Sequence, residues 1–109
     1  MKKDSIYVGH IVDAADLIRK YIQGISQEQF EGNTLVRDGV VRQIEIIGEA
    51  TRAISDEFKD KHQVIPWHKI VGMRNRLIHE YIDVDEAEVY RTAKNDIPKL
   101  KEDLLRMVR

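Results

Sequence analysis

Cysteine is absent from the 109 residues, and proline (two), glycine (six) and tryptophan (one) are scarce. Without cysteine there is no disulfide framework, no thiolate zinc site and no cysteine nucleophile. Proline and glycine form no cluster, so no linker, internal repeat or low-complexity segment is visible. An excess of one charge sign is also missing, with 18 Lys and Arg set against 19 Asp and Glu. Disorder needs low hydrophobicity and high net charge together. The 42% hydrophobic content and the net charge of -1 therefore exclude it. No apolar run approaches the roughly 20 residues of a membrane span. The segment Met1 to Ser5 has two lysines but no apolar stretch of the signal-peptide kind. A cytoplasmic location without membrane association is expected. Overall charge does not mark a nucleic-acid binder, so that case must rest on local charge.

What is present is helical periodicity from end to end. Tyr7, Ile11, Ala14, Ile18, Tyr21, Ile22 and Ile25 step by three and four, with Asp4 or Ser5 able to cap the start. Gly24 and the polar run Ser26 to Gln29 close this helix, and a short turn around Phe30 to Asn33 follows. A second pattern runs from Thr34 to Phe58, with Val36, Val40, Ile44, Ile47 and Ile54 as its stripe and Ala50 and Ala53 beside it. Gly39 and Gly48 lie inside it. Each costs roughly 1 kcal/mol relative to alanine, so close packing is expected there. Glu49 is expected to pair with a neighbouring arginine; alternatively, Glu49 or Arg42 lines a functional cleft. Pro66 opens a third helix, carrying Trp67, Ile70, Val71, Leu77 and Ile78 on its apolar side. Asp83 to Asp85 breaks it and caps the next. The last pattern is Tyr90, Ala93, Ile97, Leu100, Leu104 and Met107, with Pro98 inside it. A proline there predicts a kink near Lys94 to Asp96. The expected fold is all-α: a single domain over 1–109, an antiparallel four-helix-type bundle. Its shortest member carries the unusual chemistry.

That chemistry begins with charge. From Lys61 to His79 there is no acid, while Lys61, Lys69, Arg74, Arg76, His62, His68 and His79 are present. Glu80, Asp83, Asp85, Glu86 and Glu88 follow at once. Basic residues near a helix C-terminus complement its dipole, which accounts for Arg76 and His79 but not for the missing acids. A local positive field suits a phosphate-bearing ligand. Within it, Arg74-Asn75-Arg76-Leu77-Ile78-His79-Glu80-Tyr81 joins a permanent cation to an imidazole that titrates near neutrality. Such a pair can cleave RNA without a metal. Histidine moves the proton of a ribose 2′-hydroxyl, arginine holds the phosphate, and the product is a 2′,3′-cyclic phosphate. Asn75 would add a neutral hydrogen bond. Arg74 and His79 stand about 140° apart on a helix, so a working site needs Arg74 to wrap around or a second chain to contribute. A homodimer is therefore part of the reading. No metal or cofactor is expected: His62 and His68 have no Asp, Glu or Cys at ligand spacing. His10 carries no signal, and Trp67 reads as a core anchor.

The run Ile46-Ile47-Gly48-Glu49-Ala50, then Ile65-Pro66-Trp67, then Gly72 to Tyr81, then Val84-Asp85, resembles the HepT-like toxins of the HEPN superfamily. The likeness extends from the Asp13 region to Asp96-Ile97-Pro98-Lys99-Leu100 in matching order. It implies a dimerising helical bundle and a metal-independent endoribonuclease with an Arg-x(4–6)-His motif. Arg74 and His79 become its catalytic pair and Asn75 the polar residue after the arginine, with Arg76 and Lys69 as supporting RNA contacts. It also implies a toxin–antitoxin module whose antitoxin is a small nucleotidyltransferase that adds AMP to a tyrosine two residues past the histidine, here Tyr81. Transfer RNA is a target in the family. Two other readings stay open. One is a non-catalytic nucleotide- or substrate-binding partner subunit of a nucleotidyltransferase. The other is a structural bundle whose basic helix pairs with the Glu80 to Glu88 stretch of another chain.

Overall fold

In a computed structural model, residues 2–79 and 85–107 are described, apart from the side chains of Lys2, Ile78 and His79. Among them there is no strand. The elements are α1 (Lys2–Ile22), α2 (Gln27–Glu31), α3 (Thr34–Ala53), α4 (Asp56–Lys61), α5 (Trp67–His79), α6 (Glu86–Arg91), a π-helical turn (Thr92–Asp96) and α7 (Ile97–Met107).

The heptad-like stripes meet as the spacing requires. Ile11 and Ile18 of α1, Ile44 and Ile47 of α3, and Ile97 and Leu104 of the last segment are fully buried together. α1 packs along α3, α3 along α5, and α1 against α7. The bundle is thus ordered α5, α3, α1, α7, and a groove of about 740 Å³ opens between α5 and the α6–α7 segment. Gly39 lies where its added Cβ would sit 3.3 Å from the ring of Tyr21, the close packing its place in a helix implied. No helix among the described residues is long and apolar enough to cross a membrane.

Four local features differ from the sequence reading. Asp4 does not cap α1. It lies buried in the first turn, and its carboxylate accepts the Ser55 backbone N–H at 2.8 Å and the Ser55 hydroxyl at 2.7 Å. The pattern from Thr34 to Phe58 is not one helix. It breaks at Ile54 and Ser55, where the Ser55 hydroxyl accepts from Phe58 N and caps α4, with Asp56 and Glu57 in its first turn. The apolar spacing keeps its phase across this break, so periodicity does not reveal it. Residues 27–31 are a helix, not the end of α1: Ser26 and Gln29 form a reciprocal capping box and seat Phe30 in the core. Finally, Ala53 is exposed and takes no part in the α3 stripe.

The regular α-helix is interrupted where the sequence placed a kink. Pro98 has no N–H to donate to the residue four back, Lys94. The helix widens by one residue per turn just before it, and the Ile97 N–H reaches back to Thr92 O. The same segment shows Asp85 capping α6 through the N–H groups of Ala87 and Glu88.

Candidate active site

α5 is anchored at its start. Pro66 O accepts from Ile70 N at 3.1 Å. Trp67 is buried and its indole N–H donates to His62 O at 3.1 Å, while Phe58 meets its ring edge-on at 6.1 Å. Ile65, Ile70 and Leu77 complete the buried side. This fixes the rotation of α5, and with it the direction of each basic side chain.

Arg74 turns toward α3. A Cβ built on Gly48 would lie 2.2 Å from Arg74 Cβ and 2.5 Å from its Cγ, so the absent side chain at 48 is the space that the arginine stem fills. The Arg74 side chain is only 18% exposed. Its Nη2 forms an ion pair with Glu49 Oε1, and its Nη1 donates to Asn75 Oδ1 at 3.0 Å. Among the described residues its Nε is buried without a partner. A largely buried guanidinium is tolerated only with such partners, because leaving it unpaired costs several kcal/mol. The expectation that Gly48 marks a close crossing and that Glu49 pairs with an arginine is therefore met, and the arginine is Arg74.

Lys69 and Arg76 point elsewhere. They are seven residues apart, hence on one side of α5. Both line the groove toward α6 and α7, with Ile70, Met73, Ile97 and Leu100 nearby. Arg76 donates twice to the Glu88 carboxylate, at 2.6 and 3.0 Å. The basic stretch thus divides, with Arg74 toward α3 and Lys69 and Arg76 toward α6–α7. Glu88 belongs to the acidic stretch that one reading of the sequence paired with the basic helix of another chain; here it pairs within its own chain. That contact joins residues twelve apart across the segment 80–84, and no periodicity signals it.

The backbone of α5 reaches His79. The His79 side chain and the whole of Tyr81 lie outside the described residues, as do Asp83 and Val84. Asn75 is half-buried, one turn before His79. Of the other histidines, His68 and His10 are exposed and His62 stacks on Phe58 at 4.4 Å. Among the described residues no three His, Asp or Glu side chains gather as a metal site.

The model of the HepT-like ribonuclease family, described as "Ribonuclease HepT-like", matches residues 11–107, a span that includes Gly48, Glu49, Arg74, His79 and Tyr81. The chain belongs to the HepT-like ribonuclease family. It is 40% identical over 95 residues to a protein of Thermococcus cleftensis named as a probable ribonuclease HepT, covering 87% of this chain and 86% of that one. It is 38% identical over 101 residues to a candidate RNase of Caldanaerobacter subterraneus subsp. tengcongensis, covering 93% and 90% of the two chains. A protein of Methanocaldococcus jannaschii, named as a gamma-glutamylcyclotransferase and candidate RNase, is 39% identical over 109 residues. There the match covers 99% of this chain and 49% of the relative, so the chain spans about half that protein's length. No solved structure matches the chain. Membership of a ribonuclease family points to RNA as a substrate.

Proposed function

We propose that the chain is a metal-independent endoribonuclease, the toxin of a toxin–antitoxin module, working from Arg74 and His79 in a dimer cleft. The observation that carries this reading is the placement of Arg74. In a ribonuclease-family chain, its guanidinium is held between two helices, one turn and a half before His79 on the same helix.

In this scheme one histidine takes the proton of a ribose 2′-hydroxyl. The O2′ attacks phosphorus and the P–O5′ bond breaks. A second histidine, from the partner copy, gives a proton to the leaving O5′. The products are a 2′,3′-cyclic phosphate and a 5′-hydroxyl, and no water is consumed. Arg74 stabilises charge on the non-bridging oxygens as the phosphorus becomes five-coordinate. Removing such a donor costs about 10²–10³-fold in kcat. Asn75 steadies Arg74. Lys69, across the helix, holds a more distant phosphate as a point charge, and Arg76, paired with Glu88, supports RNA on the same side.

The partner in this reading is a nucleotidyltransferase antitoxin. The Tyr81 phenol oxygen attacks the α-phosphorus of ATP and displaces pyrophosphate, leaving AMP on the tyrosine. That group adds bulk and negative charge two residues past His79 and repels RNA phosphates. Transfer RNA is the RNA class this reading takes as substrate.

End-group analysis tests the chemistry. RNA fragments made by the wild-type chain are expected to end in cyclic phosphates and to begin with free 5′-hydroxyls, and Arg74→Ala should lower the rate at least about 100-fold. Fragments with 5′-phosphates would contradict the scheme. Binding of nucleotide without any RNA cleavage would favour the non-catalytic partner-subunit reading instead.

A further inference from the structure

The Arg74 guanidinium is gripped by a residue that the cleavage scheme does not use. Glu49 stands on α3, not on the motif helix, and its carboxylate takes Nη2 while Asn75 takes Nη1. Gly48, next in chain, seats the arginine stem. The two partners of the ion pair differ in exposure: the Glu49 side chain is 56% exposed and that of Arg74 18%. Each terminal guanidinium nitrogen carries two hydrogens. Among the described residues Glu49 and Asn75 each meet one terminal nitrogen, so each nitrogen has a hydrogen beyond the one so engaged.

We propose that Glu49 is a positioning residue for Arg74: with the arginine stem seated against Gly48, it fixes the guanidinium at the α3–α5 seam and leaves the fork open to a scissile phosphate. This rests on the reading that Arg74 acts on that phosphate. A free arginine holds many rotamers, and ordering one has an entropic cost. Here that ordering is done before RNA arrives, which is the general condition for electrostatic preorganisation. A carboxylate cannot itself assist a phosphodiester by contact, since like charges repel. Its benefit must pass through Arg74. Its charge also opposes RNA binding, so the geometric and the electrostatic effects of Glu49 have opposite signs and can be separated.

The separating variants are Glu49→Gln and Glu49→Ala. Glutamine keeps an acceptor oxygen at the same reach and removes the charge; alanine removes both. Steady-state cleavage of a short RNA in EDTA is compared for wild type, both Glu49 variants and Arg74→Ala, with circular dichroism confirming equal folding. Glu49→Ala should lower kcat about 10–100-fold, the range for misplacement of a catalytic group by about 1 Å. Glu49→Gln should keep kcat within about threefold and lower KM, because repulsion is gone while the hydrogen bond remains. A merely structural carboxylate would lower the melting temperature and leave kcat unchanged below it. Full kcat in Glu49→Ala with an inactive Arg74→Ala overturns this inference and leaves the cleavage reading intact. Equal loss in the alanine and glutamine variants overturns it as well, because glutamine retains the acceptor. Unimpaired cleavage by Arg74→Ala overturns the reading beneath it.

Discussion

Gly48 and Gly39 both lie in α3, yet the space around them predicts opposite outcomes for alanine. At Gly48 the new Cβ would fall 2.2 Å from Arg74 Cβ, an atom fixed to its own backbone that no rotamer change can move. Such overpacking costs about 1–3 kcal/mol, which outweighs the roughly 1 kcal/mol that alanine gains as a helix former. Gly48→Ala should therefore lower the urea midpoint. At Gly39 the nearest atom is the edge of the Tyr21 ring at 3.3 Å, and Tyr21 is only half-buried. The ring can yield, so Gly39→Ala should be neutral or stabilising by up to about 1 kcal/mol. The same melts check both. Asp4 gives the pH dependence. The Ser55 backbone N–H, and then the Ser55 hydroxyl, hold its carboxyl below its ordinary value. A depressed folded value means that the contribution is complete above the ordinary range, near pH 4, and is lost as pH falls through the lower folded value. Wild type should lose stability below about pH 4 more steeply than Asp4→Asn, compared by urea unfolding at pH 7 and pH 3.

The α3–α4 break depends on Ser55, which joins two elements to a third. Ser55→Ala removes the cap of α4 and one acceptor contact of Asp4, and should cost about 1–2 kcal/mol. With Asp4→Asn the losses should be less than additive, because both variants remove the same bond. Thermal melts of the two single variants and the double variant decide this. The break also marks where sequence stops being informative about elements. Ile47, Ala50, Ile54 and Phe58 step by three and four without interruption, so the stripe carries no mark of the turn. The only local sign is Ser55 followed by two acids, a cap signature weaker than the periodicity that overrides it. α2 was hidden for a different reason. Five residues hold too little periodicity to register, although the Ser26 to Gln29 spacing of a capping box was there. A disturbance before Pro98 is legible because its cause, a missing N–H, is local to one residue; that it takes the form of a π-helical turn is not.

Across the whole molecule the cations of α5 serve two sides. The spacing of Arg74 to His79 was visible in sequence, and so was a close crossing at Gly48. The direction of Arg76 was not, because it depends on Glu88 arriving from the next helix. That division predicts separable kinetics. Lys69→Ala should raise KM and reduce the salt dependence of RNA binding by about one counterion, with kcat nearly unchanged. Arg74→Ala should act on kcat. Filter binding over a salt series, beside cleavage rates, distinguishes the two. If the cleft is shared by two copies, sedimentation should show a dimer, and a monomer that cleaves RNA at full rate would contradict that part of the account.

The most direct test is cleavage of total RNA in excess EDTA by the wild-type chain and by His79→Ala, matched for folding by circular dichroism. The account predicts fragments ending in 2′,3′-cyclic phosphate from wild type and a rate at least about 100-fold lower from the variant. Equal cleavage by both would contradict it.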